Sequence, residues 1–213
     1  IMPDDKKYWV GYNLVRGIGS VRFQQIRSFF GDLSIAWEAP EAAFRGVGLP
    51  DRALENFLQL RRNLDLDQLL DSIAEQNVTV LTLLDDDYPR LLMEIDQSPP
   101  VIYVKGELLP SDEFAVAMVG TRKVTPYGQQ ITRDTSLYLA GQGITIVSGL
   151  ARGVDGLAHQ HALMAGGRTI AVLGSGVDVI YPPEHRKLAD QIVENGAIVS
   201  DYPMGTKPDG VNF

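Results

Sequence analysis

Three short stretches of the chain combine glycine, hydroxyl and charged side chains: Gly120-Thr121-Arg122-Lys123, Ser148-Gly149-Leu150-Ala151-Arg152-Gly153-Val154-Asp155 and Gly174-Ser175-Gly176-Val177-Asp178. Small residues let an anion approach peptide amides, hydroxyls donate hydrogen bonds, and a guanidinium offers a charged fork that matches phosphate oxygens. The chemistry they suit is holding phosphate. Glycine after a parallel strand is common for geometric reasons alone, so one such loop says little. Three in succession point to an anion cradle.

Bond-breaking chemistry fits less well. A Walker loop needs Gly-Lys-Ser/Thr, and Gly205-Thr206-Lys207 has the reverse order. The third loop offers Gly174-x-Gly176 but Val179 where a dinucleotide fingerprint needs a small residue, and it follows the third strand of its unit. Neither Ser148 nor Ser175 has glycine two positions earlier, as a hydrolase elbow requires. Asp155 and His159 lie one helical turn apart near Ser148, but a first-turn carboxylate and a helix residue packed at the sheet end explain them as well as a triad does. His159 and His161 diverge on a helix and cannot share a metal, and Asp85-Asp86-Asp87 lacks the glycine and distal Glu of a calcium loop. No catalytic residue, metal or cofactor is expected.

These loops must be positioned by a scaffold, and the pattern from Phe114 onward supplies one. Short apolar strands at 115–119, 144–147, 169–173 and 197–200 alternate with amphipathic helices at 127–140, 154–165 and 184–194. The class is α/β, a Rossmann-like doubly wound parallel sheet whose loops gather outside the strands' carboxyl ends. The last strand lies close to Phe213, so the sheet is read as unfinished. Upstream, 78–83 and 101–104 read as strands, with a turn at 85–89 and a short helix at 90–95. Over residues 1–64, Leu14 to Gly19 and Ala43 to Gly48 each end a helix in Gly-apolar-Gly, the pattern of paired helix-hairpin-helix units. The expected domains are therefore 1–64, small and all-helical of the helix-hairpin-helix or SAM-like kind, and 65–213, an extended Rossmann-like domain truncated at its C-terminus.

Composition bounds the partners. With 45% apolar and 22% charged residues over 213 positions, the chain is globular and large enough to bury a core. Cys is absent, which removes disulfides and thiolate sites and suits a reducing cytoplasm. The start lacks an apolar stretch of the secretory kind, and a first residue other than Met suggests a processed or partial chain. The net charge of −8 is uneven: +2 over residues 1–64, −10 over 65–113 and zero over 114–213. A polyanion would have to avoid the acidic middle and use a local basic pocket. Near the end, Lys207 and Phe213 offer a cation for a phosphate and a ring for an unpaired base, though a solvated Lys and a core Phe remain an equal reading.

Val119-Gly120-Thr121-Arg122, the run from Ser148 to His159, the run from Val172 to Pro182 and Ser200-Asp201-Tyr202-Pro203 closely resemble the DNA processing protein A (DprA, also called Smf) family. Tyr88-Pro89 with Leu91, and Pro100-Val101 with Tyr103 and Gly106, resemble its strands before the core, so the likeness runs from Val78 onward. It implies a bacterial cytoplasmic mediator of natural transformation and recombination. Such a protein protects incoming single-stranded DNA, loads a RecA-type recombinase, and forms a homodimer through the Rossmann-like domain. It implies no enzymatic activity and no membrane partner. The DNA and phosphate pocket carried over comprises Gly120, Thr121, Arg122, Ser148, Gly149, Ala151, Arg152, Gly153, Gly174, Gly176, Lys207, Asn212 and Phe213. The family usually continues after Asn-Phe into an Arg/Asn-rich segment, and this sequence stops before it.

Two other readings stay open. A nucleotide-phosphoribohydrolase enzyme shares the layout, but its Pro-Gly-Gly-x-Gly-Thr loop has no counterpart here. The glycine hairpins of 1–64 suit either backbone contacts to duplex phosphates or a packing role, and a charge of only +2 favours packing.

Overall fold

The computed structural model describes residues 3–210. The chain divides into two compact units, one made of the residues up to 76 with 80–102, the other of 77–79 with the residues from 103 on.

In the first unit, α1 (Pro3–Asn13), α2 (Ser20–Phe30), α3 (Leu33–Glu38), α4 (Asp51–Asn63) and α5 (Leu66–Ala74) are punctuated by residues that suit helix ends. Asp32 caps α3 by accepting the Ser34 N–H at 2.7 Å, and Asp65 caps α5 by accepting from Asp67 and Gln68 at 3.0 Å each. The reversal between α1 and α2 turns at Gly17, where φ is +98°. Ile18 and Val47, the central residues of the two expected hairpins, are both buried. The second hairpin differs from the first. Its leading element is a 3-10 helix, Glu41–Gly46, between Pro40 and Val47. Lys6 ties α1 to the following segment of this unit through the Val80 carbonyl at 3.0 Å and the Asp85 carboxylate at 2.8 Å.

Aromatic rings fill the core of this unit. The Tyr12 ring stacks on Phe57 with centroids 4.9 Å apart and meets Trp37 edge-on at 5.2 Å. The Tyr12 hydroxyl, fully buried among them, has no hydrogen-bond partner among the described residues. A buried hydroxyl without a partner opposes folding. Tyr12→Phe is therefore expected to raise stability by about 1 kcal/mol, read as a higher urea midpoint with an unchanged slope.

A six-stranded sheet has the order β1-β2-β6-β5-β4-β3, with β1 (Val78–Thr82), β2 (Val101–Gly106), β3 (Ala115–Ala117), β4 (Thr145–Ser148), β5 (Thr169–Val172) and β6 (Gly196–Ser200). A short helix, α6 (Arg90–Met93), precedes β2. Strands β3 to β6 are parallel and consecutive, joined by α7 (Pro126–Gly141), α8 (Val154–Met164) and α9 (Arg186–Asn195). β2 runs antiparallel to β6, pairing Tyr103 with Ser200. The Rossmann-like α/β class is as the alternation indicates, in a sheet made mixed by the antiparallel β2. Crossovers of one hand between successive neighbours put every helix on the same face, and α8 packs against both α7 and α9 there. The core beneath these helices includes Ala140, Ile146, Ala158 and Ala162.

Opposite the carboxyl rim, the starts of the strands are clamped. Arg168 donates from Nε and Nη2 to the Asp112 carboxylate at 2.9 Å each and from Nη2 to the Glu107 carbonyl at 2.8 Å, while Thr145 donates to Asp112 at 2.8 Å. Burial alone would raise the Asp112 pKa, but the bonds from Arg168, the Leu109 N–H and Thr145 outweigh it and hold the carboxyl below its usual range. A depressed folded-state pKa contributes stability above the unfolded value, near 4, that is lost as pH falls through the folded value. Asp112→Asn is expected to cost about 1–3 kcal/mol at pH 7. In paired urea melts the deficit should shrink steadily below about pH 4.

Candidate nucleic-acid interface

Four loops leave the carboxyl ends of β3, β4, β5 and β6, and two of them are locked together by glycine. At Gly120 a β-carbon would lie 2.7 Å from Val154 Cγ2, so glycine is what lets the first loop approach the start of α8. At Gly153, with φ +84°, a β-carbon would overlap the Thr121 carbonyl oxygen and lie 2.7 Å from Arg122 Cα. The Val154 N–H closes the junction by donating to the Thr121 carbonyl at 3.2 Å. Arg122 and Arg152 therefore sit on touching loops, and both are exposed.

The third and fourth loops form a second pair. The Gly176 N–H donates to the Thr206 carbonyl at 3.0 Å, and both Asp178 oxygens accept the Gly205 N–H, at 2.9 and 3.0 Å. A side chain at Gly176 would meet Asp178 and the Pro203 carbonyl. His185 joins the end of the third loop to the second: its Nδ1 lies 2.8 Å from the Leu150 carbonyl, and its ring packs where Gly156 leaves room. Arg122, Gln129, Gly153, Gln160 and His185 line a cavity of about 240 Å³ between these segments. Arg152, half-exposed, donates from Nε to Glu184 at 2.5 Å.

The residues selected from sequence thus fall into distinct roles. Arg122, Arg152 and Lys207 present exposed cationic side chains. Thr121 is exposed, but its Oγ1 accepts the Lys123 N–H at 3.1 Å and shapes the first loop. Gly120, Gly153 and Gly176 are close-approach positions. Two amides of the expected cradle, with that of Gly156 beside it, are committed within the protein. Gly149 donates to Asp155 at 3.2 Å, Gly156 to the Ala151 carbonyl at 3.0 Å, and Gly176 to Thr206. Ser148 is buried and donates to the Met118 carbonyl at 2.6 Å, while Ser175 donates to Val179. Gly174 lies directly after Leu173, whose N–H continues the sheet by donating to the Val199 carbonyl at 2.9 Å. Asn212 and Phe213 lie outside the described residues.

Ser148, Asp155 and His159 do not assemble. The Thr169 hydroxyl gives its hydrogen to the Ile146 carbonyl at 2.7 Å, so the contact of 2.6 Å between it and His159 Nδ1 requires Nδ1 to carry the donated proton. Burial first, then the charge of His185, pushes the His159 pKa down to about 3. The imidazole is a neutral strut between α8 and β5, and Asp155 serves Gly149. Glu184, Tyr181 and Asp178 are residues that loop chemistry had not singled out. For Glu184 the signal was present, a carboxylate directly after Pro182-Pro183, but a helix start accounts for it equally well.

Residues 79–213 match the family model described as DNA recombination-mediator protein A. The protein Smf of Synechocystis is 42% identical over 214 residues, covering 98% of this chain and 54% of that relative. The chain thus spans about half that relative's length. The X-ray structure of DNA processing protein A from Streptococcus pneumoniae superposes with a TM-score of 0.78 at 28% identity, covering 97% of this chain and 71% of that one. A structure of DNA processing protein A from Helicobacter pylori, described for its unique single-stranded DNA binding mode, gives a TM-score of 0.54 at 31% identity, covering 64% of this chain and 60% of that one. With the loop motifs, the sheet and the matched residues in agreement, the chain belongs to the DNA recombination-mediator protein A family, which includes the DprA and Smf proteins.

Proposed function

We propose that the rim built by the loops after β3 and β4 binds single-stranded DNA, and that the protein works as a recombination mediator that shields a strand and passes it to a RecA-type recombinase in the cytoplasm. The observation that carries this reading is the contact at Gly153, which sets two exposed guanidiniums on adjoining loops. Arg122 and Arg152 suit successive phosphates of one extended chain, with Lys207 as a third cation. Phe213 would supply a ring for base stacking. The solved Helicobacter pylori relative, which binds single-stranded DNA, supports the same substrate here.

Loading of the recombinase, a homodimer formed through the Rossmann-like domain and a role without bond chemistry belong to the same proposal. Among the described residues no helix is long and apolar enough to cross a membrane. The test is a competition in which a labelled dT oligonucleotide on the protein is challenged with unlabelled dT or with duplex of equal length. Displacement by dT well below the duplex concentration is expected, because the loops offer side-chain cations and few base-reading groups. Duplex competing equally or better would contradict the reading.

A further inference from the structure

Arg152 is engaged in the free protein. Its Nε donates to the Glu184 carboxylate at 2.5 Å, across 32 residues of sequence and between two of the rim loops. Both side chains are about half-exposed, at 53% and 51%. The Tyr181 hydroxyl is a further partner of the guanidinium. The hydrogen bond from Arg152 holds the Glu184 pKa below its usual value, so the carboxylate is charged throughout the neutral range.

A carboxylate and a phosphate both offer a guanidinium negatively charged acceptor oxygens. Glu184 therefore occupies Arg152 in the way a phosphate would, and it does so from a fixed place. The next residue, His185, is bonded to the Leu150 carbonyl, two positions before Arg152. We propose that Glu184 is an internal substitute for the phosphate, displaced from Arg152 when a strand binds, and that this exchange sets the affinity and salt response of the rim. The inference rests on the reading of the rim as a strand-binding site. An exposed ion pair is weak enough to open, and a counter-charge left beside a bound phosphate opposes binding. Glu184 thereby keeps the site occupied when empty and lets a strand be released.

The test compares wild type, Glu184→Gln, Arg152→Ala and the double variant, titrated with a dT oligonucleotide by fluorescence anisotropy at several salt concentrations. Glu184→Gln is expected to bind about two- to fivefold more tightly than wild type. Its affinity should also fall more steeply with salt, by up to about 0.7 in the logarithmic slope, because the Glu184 carboxylate freed in wild type takes up cation and so offsets the cation that the bound phosphate releases, and Gln cannot do this. The gain should vanish when Arg152 is absent. Weaker or unchanged binding by Glu184→Gln would overturn the proposal, the first by showing that the carboxylate only aims the arginine. An equal gain in the Arg152→Ala background would overturn it too, as a general charge effect. Failure of the wild-type protein to bind dT would instead remove the strand-binding reading itself.

Discussion

Gly153→Ala is expected to destabilise the protein by about 2–4 kcal/mol and to abolish binding at the rim. Two effects add at this position. The backbone lies at φ +84°, where an L side chain is strained, and a β-carbon would run into the Thr121 carbonyl and the Arg122 backbone. Neither obstacle is the end of a flexible side chain, so the two loops must separate or the turn must refold. Either response moves Arg122 away from Arg152. Gly141→Ala is the matched control: it closes α7, has no atom within 4 Å of the added carbon, and should be neutral to slightly stabilising. Urea unfolding of the two variants beside wild type reads the difference. Equal midpoints for Gly153→Ala and wild type would show that the loops do not need this contact.

The second large effect concerns charge and leaves the fold intact. Replacing Arg122 and Arg152 together by Ala is expected to weaken binding of a dT oligonucleotide by about 10- to 100-fold at low salt, with little change in thermal midpoint. Both side chains are exposed, and Arg152 gives up only its surface contacts with Glu184 and Tyr181. The loss at the rim is large because the guanidiniums carry the positive charge there and two of the peptide donors that the sequence suggests as partners are already used. Gly149 and Gly176 give their hydrogens to Asp155 and Thr206, so these two amides cannot replace the missing guanidiniums. A purely amide-lined phosphate seat would have tolerated the change.

Much of this arrangement was legible before any coordinates. Short continuous apolar runs located β4, β5 and β6 closely, since such parallel strands are covered on both faces, and α7 and α8 were located between them, although α7 buries Thr132, Ser136 and Ala140 and leaves its apolar Ile131 and Tyr138 exposed. Ile18 and Val47 were identifiable as buried because glycine flanks them where a chain must reverse. What escaped depends on partners far apart in sequence. Nothing local to Gly176 says that Asp178 and the 203–206 turn will close over it, and nothing local to Ser148 says that its hydroxyl will face Met118. The same holds for Glu184 and Arg152, brought together only when the loops after β4 and β5 meet at one rim. The helix α5 was missed for a different reason. Its apolar stripe at Leu66, Leu69, Leu70 and Ile73, with Asp65 as the cap, sits in the acidic segment where attention fell on charge. The place of the antiparallel β2 beside β6 was likewise hidden, because alternation of strands and helices fixes the class but not the spatial order of the strands.

The central claim is that side-chain cations of two touching loops hold the phosphates of one strand. The salt dependence of dT binding, measured for wild type and for the Arg122→Ala, Arg152→Ala double variant, tests it most directly. Each guanidinium on a phosphate of a single strand contributes about 0.7 to the slope of log affinity against log salt. The account predicts that the double variant's slope is shallower by up to about 1.4, the arginine already paired with Glu184 giving the smaller share. Identical slopes, with affinity unchanged, would contradict it and place the strand elsewhere on the protein.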